Sequence, residues 1–173
     1  PDELYERYKL GANNGSGLSA AEELVIQQPY YTSQNTYSPR CYQRNAINRT
    51  VSAIAKGQDR ILLVMATGTG KTYTAFQIVY RLLKSGLKKK VLYLADRNIL
   101  VDQSIQQDFA PLEKTIHKIN FAKDDPLTIT SHEVYFSLYQ QLAGSDEVEC
   151  EENSEETVER FASLFNREFF DLV

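Results

Sequence analysis

The sequence predicts an α/β fold with a mainly parallel sheet covered on both faces by helices. Three observations carry this. Short apolar runs with no polar alternation recur along the chain, they are separated by segments of helical period, and a glycine-rich loop joins one run to the helix after it. Strands buried on both faces lose their alternation, and parallel strands need helical crossovers.

The first 36 residues read as a connector. Asp2 to Lys9 allows a short charged helix, and Gly11, Asn13, Asn14, Gly15, Ser16 and Gly17 interrupt regular structure. Ser19 followed by Glu22 forms a capping-box signature for a second short helix. A third helix is expected to be capped by Ser38, with Pro39 at its first position, Ile47, Val51 and Ile54 on one face, and Gly57 at its end.

From residue 61 the alternation begins. Ile61 to Met65 is predicted as a strand and Lys71 to Lys84 as a helix. Val91 to Ala95 is the next strand, and Asn98 to Phe109 the next helix, with Ile99, Leu100 and Ile105 facing inward. Lys118 to Phe121 and Leu127 to Thr130 read as short strands, Ser131 to Leu142 and Glu155 to Arg167 as helices, and Phe169 to Val173 as a last strand.

Composition bounds the function. A chain of 173 residues, 42% hydrophobic and 24% charged, fits one core-bearing domain. No apolar stretch approaches the roughly 20 residues of a membrane span, and the acidic N-terminal residues are unlike a secretory signal, so the expected compartment is the cytoplasm. Cys41 and Cys150 lie far apart, and with His117 and His132 they make neither a disulfide framework nor zinc-ligand spacing. The overall charge of −4 is uneven: residues 144–160 hold eight acids and one base, a net −7, which leaves +3 elsewhere. That block reads as a solvated acidic loop, so the balance does not exclude a nucleic-acid partner.

The chemistry lies in Met65-Ala66-Thr67-Gly68-Thr69-Gly70-Lys71-Thr72, between the predicted strand and helix. Gly68 and Gly70 let the backbone curl so that several N–H groups converge on a phosphate at the positive end of the helix, with Thr67 and Thr69 completing the binding loop. Lys71 would reach the β- and γ-phosphates, and the Thr72 hydroxyl would ligate magnesium. Met65 stands where the general pattern has its first glycine, which points away from small nucleotide kinases. Gln43 lies 28 positions before Lys71, with Tyr37, Arg40 and Tyr42 beside it. An amide offers the donor and acceptor needed to read adenine, and a neighbouring aromatic or arginine can stack on the base. Together these residues specify an ATP–Mg2+ site.

The stretch Arg40 to Ile47, the loop M-A-T-G-T-G-K-T and the run V-L-Y-L-A-D-R-N-I-L-V-D-Q from Val91 resemble the first RecA-like domain of superfamily 2 helicases and translocases, a P-loop NTPase fold. More narrowly, they are similar to the R (HsdR) subunit of type I restriction–modification enzymes. The resemblance implies a connector over 1–36 following a nuclease domain, and a first RecA-like motor domain over 37–173. It implies ATP and Mg2+ as cofactors, double-stranded DNA as track, and modification and specificity subunits as partners. Gln43 and Arg40 would face the base. Lys71 and Thr72 would be catalytic. Arg97 and Asn98, after the Val91 strand, would contact DNA, as would Thr130 and Ser131 after a later strand, through phosphate oxygens rather than bases. In that family an Asp-Glu-x-His motif soon follows a strand like Phe169 to Val173, and a second RecA-like domain supplies arginines. The 173 residues contain neither, so they are expected to bind nucleotide weakly and to hydrolyse it negligibly alone. The alternatives are another superfamily 2 helicase, of repair, RNA or type III restriction kind, and a non-motor phosphate-loop module.

Overall fold

The computed structural model describes residues 19–33, 38–120, 124, 129–140, 161–166 and 168–173. The chain divides into two compact units, Pro1–Leu87 and Lys88–Val173. The helix expected over Asp2 to Lys9, the acidic block 144–160 and Cys150 lie outside the described residues.

The first unit is helical. Helix α1 (Ala20–Gln27) opens with the expected capping box: the Ser19 hydroxyl accepts from the Glu22 N–H, and the Glu22 carboxylate accepts from the Ser19 N–H at 3.0 Å. Helix α2 (Cys41–Ala55) starts later than expected, because Arg40 and not Ser38 is its N-cap. The Gln43 side chain takes the Arg40 N–H, which fixes the first turn there. Gly57, at φ 82°, follows the helix end as expected. Helix α3 (Lys71–Lys84) matches its predicted span. Helix α1 packs on α2 and α2 on α3, around buried Val25, Ile47, Val51, Phe76 and Leu82. Within the span read as a connector, the Val25 carbonyl, the Tyr30 hydroxyl and the Tyr31 backbone are hydrogen-bonded to side chains of α2 and α3.

Ile61 to Met65 is not a strand. Leu62 is 85% exposed and Val64 88%. The apolar run has the right composition, but a strand exists only with a ladder partner, and the described residues of its unit contain no other strand.

The second unit holds a parallel sheet in the order β1-β3-β2, formed by β1 (Val91–Ala95), β2 (Ile116–Lys118) and β3 (Val134–Leu138). Leu92 pairs with Tyr135 and Tyr93 with Phe136, so each pair shares one face. On one face Leu92 and Tyr135 join Ile119, Ile129, Leu164 and Phe165, with Phe161, Phe169 and Phe170 against them. On the other, the rings of Tyr93 and Phe136 meet Phe109, at centroid distances of 5.5 and 5.2 Å. Helix α4 (Asn98–Gln106) packs on β1 and β3. A 3-10 helix over Ala110–Thr115 leads into β2. The fold class is therefore α/β with a parallel sheet, as the sequence predicts.

Several boundaries differ. Helix α4 ends at Gln106 and buries Val101 and Ser104, while Ile99 and Leu100 are exposed at 68% and 44%. Its polar Ser104 turns inward because its hydroxyl bonds the Leu100 carbonyl at 2.7 Å, which satisfies it without water. The segment read as helix from Ser131 contains β3 instead, whose five residues are all buried. Its pairing with β1 and β2 overrides local helical period. Of the expected strand from Leu127, residue 129 is helical and 130 a turn, the others lying outside the described residues. Residues 161–164 are helical within the span expected from Glu155. The strand expected from Phe169 is reduced to one parallel bridge between Leu172 and Val91.

Candidate nucleotide site and sheet edge

The phosphate loop owes its shape to two glycines in the left-handed region, Gly68 at φ 77° and Gly70 at φ 80°. Their demands differ. A Cβ on Gly68 would meet nothing, whereas one on Gly70 would fall 2.5 Å from Gln43 Nε2. Gly70 is the N-cap of α3, and its carbonyl accepts the Thr74 N–H at 2.9 Å. Between the glycines, the Thr69 hydroxyl donates to the Ala66 carbonyl at 2.6 Å and tightens the turn. Lys71 and Thr72 are the first two residues of α3, and no acid occupies that first turn. The helix therefore presents its positive end beside an exposed lysine and a hydroxyl. Thr67 is exposed on the loop.

Gln43 is 7% exposed and reaches the loop from α2. Its Oε1 accepts the Arg40 N–H at 2.9 Å, and its Nε2 donates to the Thr69 carbonyl at 2.9 Å. One partner is a donor and the other an acceptor, so the amide cannot flip without losing both bonds. A primary amide has two N–H donors and two oxygen lone pairs, so one of each remains. That pair matches adenine, which presents an acceptor N7 beside a donor amino group, and opposes guanine, which presents two acceptors. Tyr42, half exposed, adds its hydroxyl to the same Thr69 carbonyl at 3.3 Å. Arg40 contributes its backbone here, and its side chain is exposed. The residues present fit a nucleoside triphosphate with magnesium: a loop with two left-handed glycines, a cation, a hydroxyl and an oriented amide.

The second unit supplies a different surface. Arg97 is the N-cap residue of α4 and Asn98 its first residue, so both stand at the carboxyl end of β1. The Arg97 side chain is 78% exposed, with Nε 3.9 Å from Asp96 Oδ2, a solvated contact worth little to stability. Thr130 and Ser131 are placed otherwise than expected. They precede β3, so they lie at the amino end of the sheet, about 15 Å of strand away from Arg97. There the Thr130 and His132 carbonyls accept hydrogen bonds from Lys90 Nζ.

Sequence reasoning missed Gln140. Leu138, which ends β3, pairs with Ala95, which ends β1, so Tyr139 and Gln140 emerge beside Asp96. Gln140 Nε2 donates to the Asp96 carbonyl at 2.7 Å. The signal for it was register, which composition does not carry. At the opposite edge, Asp171 accepts the Lys89 and Lys90 N–H groups at 2.8 and 3.0 Å. The Lys89 N–H bond, offset in part by desolvation and aided by the Lys90 N–H and nearby lysines, holds its carboxyl below the usual range. Tyr135, in the aromatic core, is pushed up to about 12 by desolvation.

Known proteins resemble the chain along most of its length. The family model described as the type III restriction enzyme, res subunit, matches residues 36–173. The chain is 48% identical over 147 residues to the type I restriction enzyme EcoAI endonuclease subunit of Escherichia coli, covering 85% of this chain and 17% of that protein. It is 48% identical over 66 residues to the EcoKI endonuclease subunit of Escherichia coli strain K12, or 38% of this chain and 6% of that one. A fragment structure from Vibrio vulnificus YJ016, described as an HsdR subunit of a type I restriction enzyme, superposes with a TM-score of 0.65 at 29% identity, covering 99% of this chain and 27% of that one.

Proposed function

Because the chain belongs to the res-subunit family of restriction enzymes, with R-subunit relatives of which it spans less than a third, we propose that it is the ATP-binding part of the DNA-translocating motor of a type I restriction endonuclease R subunit. What supports the nucleotide half of this reading is the seat of Gln43, whose amide is oriented by Arg40 and Thr69 directly against the phosphate loop. Gln43 reads adenine, the loop from Thr67 to Gly70 cradles the phosphates, Lys71 neutralises their charge, and Thr72 holds Mg2+. Magnesium supplies charge stabilisation on the transferred phosphoryl group. The parent protein couples ATP hydrolysis to movement along double-stranded DNA and to its cleavage, in a cytoplasmic complex with modification and specificity subunits.

The DNA side belongs to the same proposal. Arg97 and Asn98 remain candidates because they stand at the carboxyl end of a parallel sheet, where ligands of such sheets bind. Thr130 and Ser131 stand before β3, at the amino end of the sheet, and contact between their hydroxyls and phosphate oxygens stays part of the proposal.

Two measurements test this. Titration of Mg-ATP into the chain gives weak binding that Lys71→Ala abolishes; binding of equal strength in Lys71→Ala would refute the site. In the longer parent protein, ATP hydrolysis rises on addition of duplex DNA and is unmoved by single-stranded RNA. Stimulation by RNA alone would transfer the chain to an RNA helicase.

A further inference from the structure

Away from the phosphate loop, the first unit buries a set of polar side chains that bond mainly to backbone. Gln77 is 0% exposed; its Oε1 accepts the Tyr31 N–H at 2.9 Å and its Nε2 donates to the Tyr31 carbonyl at 3.0 Å. One turn further along α3, Arg81 is 5% exposed and donates to the Val25 carbonyl at 2.9 Å and to Asn48 Oδ1 at 2.8 Å. Asn48 Oδ1 also accepts the Tyr30 hydroxyl at 2.8 Å, and the Tyr30 ring lies 5.0 Å from the Arg81 guanidinium carbon. Each of these groups is costly to bury without its partner.

The arrangement closes a frame. Helix α2 carries Gln43 and, about 7.5 Å further along its axis, Asn48. Helix α3 carries Lys71 and Thr72 at its start and Gln77 and Arg81 on its buried side. Helix α2 is tied to the loop that leads into α3 by the Gln43 bond to Thr69, and to α3 itself, deeper in the unit, by the Arg81 bond to Asn48. The segment from Val25 to Tyr31 is bonded to both helices at that deeper junction.

An adenine nucleotide bound as proposed touches α2 with its base and the start of α3 with its phosphates. Its affinity then depends on the spacing of two helices that no backbone hydrogen bond joins directly. We infer that Tyr30, Asn48, Gln77 and Arg81 are positioning residues that set this spacing, so that the segment before α2 is part of the nucleotide-recognition apparatus. This rests on the reading of Gln43 as the adenine contact. It goes beyond that reading by assigning recognition to residues that touch no nucleotide.

A ligand that uses one end of the site separates this role from ordinary stabilisation. Mg-ATP spans both helices, and magnesium tripolyphosphate engages only the phosphate end. Both are titrated into the full chain as wild type, Asn48→Ala, Tyr30→Phe and Gln43→Ala, with thermal melts to establish that each is folded. Tyr30→Phe keeps the ring on Arg81 and removes one hydroxyl, so it remains usable should Asn48→Ala fail to fold. The expected result is Mg-ATP affinity lowered about threefold or more in Asn48→Ala, and less in Tyr30→Phe, with tripolyphosphate unchanged. Equal weakening of both ligands, or no weakening in either variant while Gln43→Ala selectively loses ATP, overturns the positioning role. If Gln43→Ala leaves the preference for ATP over tripolyphosphate intact, the adenine reading falls and the inference falls with it.

Discussion

The two units are held together by different chemistry. In Pro1–Leu87, buried amides and a guanidinium fasten backbone to side chain at Gln43, Gln77 and Arg81. In Lys88–Val173, rings are packed around Tyr135: Phe165, Phe169 and Phe170 lie at 5.4 to 5.6 Å from it. Aromatic packing supplies burial energy and tolerates small displacements. Polar fastening supplies less net energy but fixes donor and acceptor positions, because a misplaced partner is left unsatisfied. The unit with the polar fastening is the one that carries the phosphate loop, where geometry matters more than added stability.

The contrast can be broken from the aromatic side first. Tyr135→Ala should destabilise by about 3–5 kcal/mol, the cost of emptying a large core site, with faster hydrogen exchange across residues 88–173. A loss below about 1 kcal/mol would show that the ring cluster is not the main support of its unit. Gln77→Leu should cost about 1–3 kcal/mol by leaving the Tyr31 N–H and carbonyl buried without their side-chain partner. Urea unfolding measures it, and an unchanged midpoint would mean water replaces the amide.

Smaller effects sharpen the comparison. Gly70→Ala and Gly68→Ala share a left-handed penalty of about 1–2 kcal/mol. Only the first also displaces Gln43, so Gly70→Ala should lower Tm further than Gly68→Ala. Equal shifts would remove the close approach from the explanation. The smallest effect is at Asp171. Its folded carboxyl titrates below the usual value of 3.8, so its contribution is present above that value and lost as pH falls through the folded pKa. Asp171→Asn should therefore be slightly less stable than wild type at neutral pH and equal to it in acid, as thermal melts at pH 7 and pH 2–3 would measure by about a few tenths of a kcal/mol or less. A constant difference at all pH values would show that the carboxylate charge is not what matters.

Local signals read well wherever local physics decides. The Ser19–Glu22 box, the whole of α3, the glycine after α2 and β1 were legible because caps, left-handed glycines and apolar period act within a few residues. Gln43 was also legible, through its distance from the loop, although its grip on Arg40 and Thr69 was not. The failures share one cause. Ile61 to Val64 and Val134 to Leu138 are both apolar runs, yet the first is exposed and the second buried between two partner strands. Pairing is a property of other parts of the chain, and nothing inside either run announces it. The same dependence on register hid Gln140.

The sequence by itself determined the residues of the candidate site: two glycines, a lysine, a threonine and an upstream glutamine in an order that suits the proposed adenine nucleotide, set in an α/β pattern. Tertiary structure alone decided which way the Gln43 amide points, which apolar runs became strands, and that the segment from Val25 to Tyr31 is bonded into the unit that carries the glycine-rich loop. Residue identity fixes which bonds a side chain can make, whereas the partner it finds lies up to 82 positions away, as Lys89 does from Asp171, and only folding brings the two together.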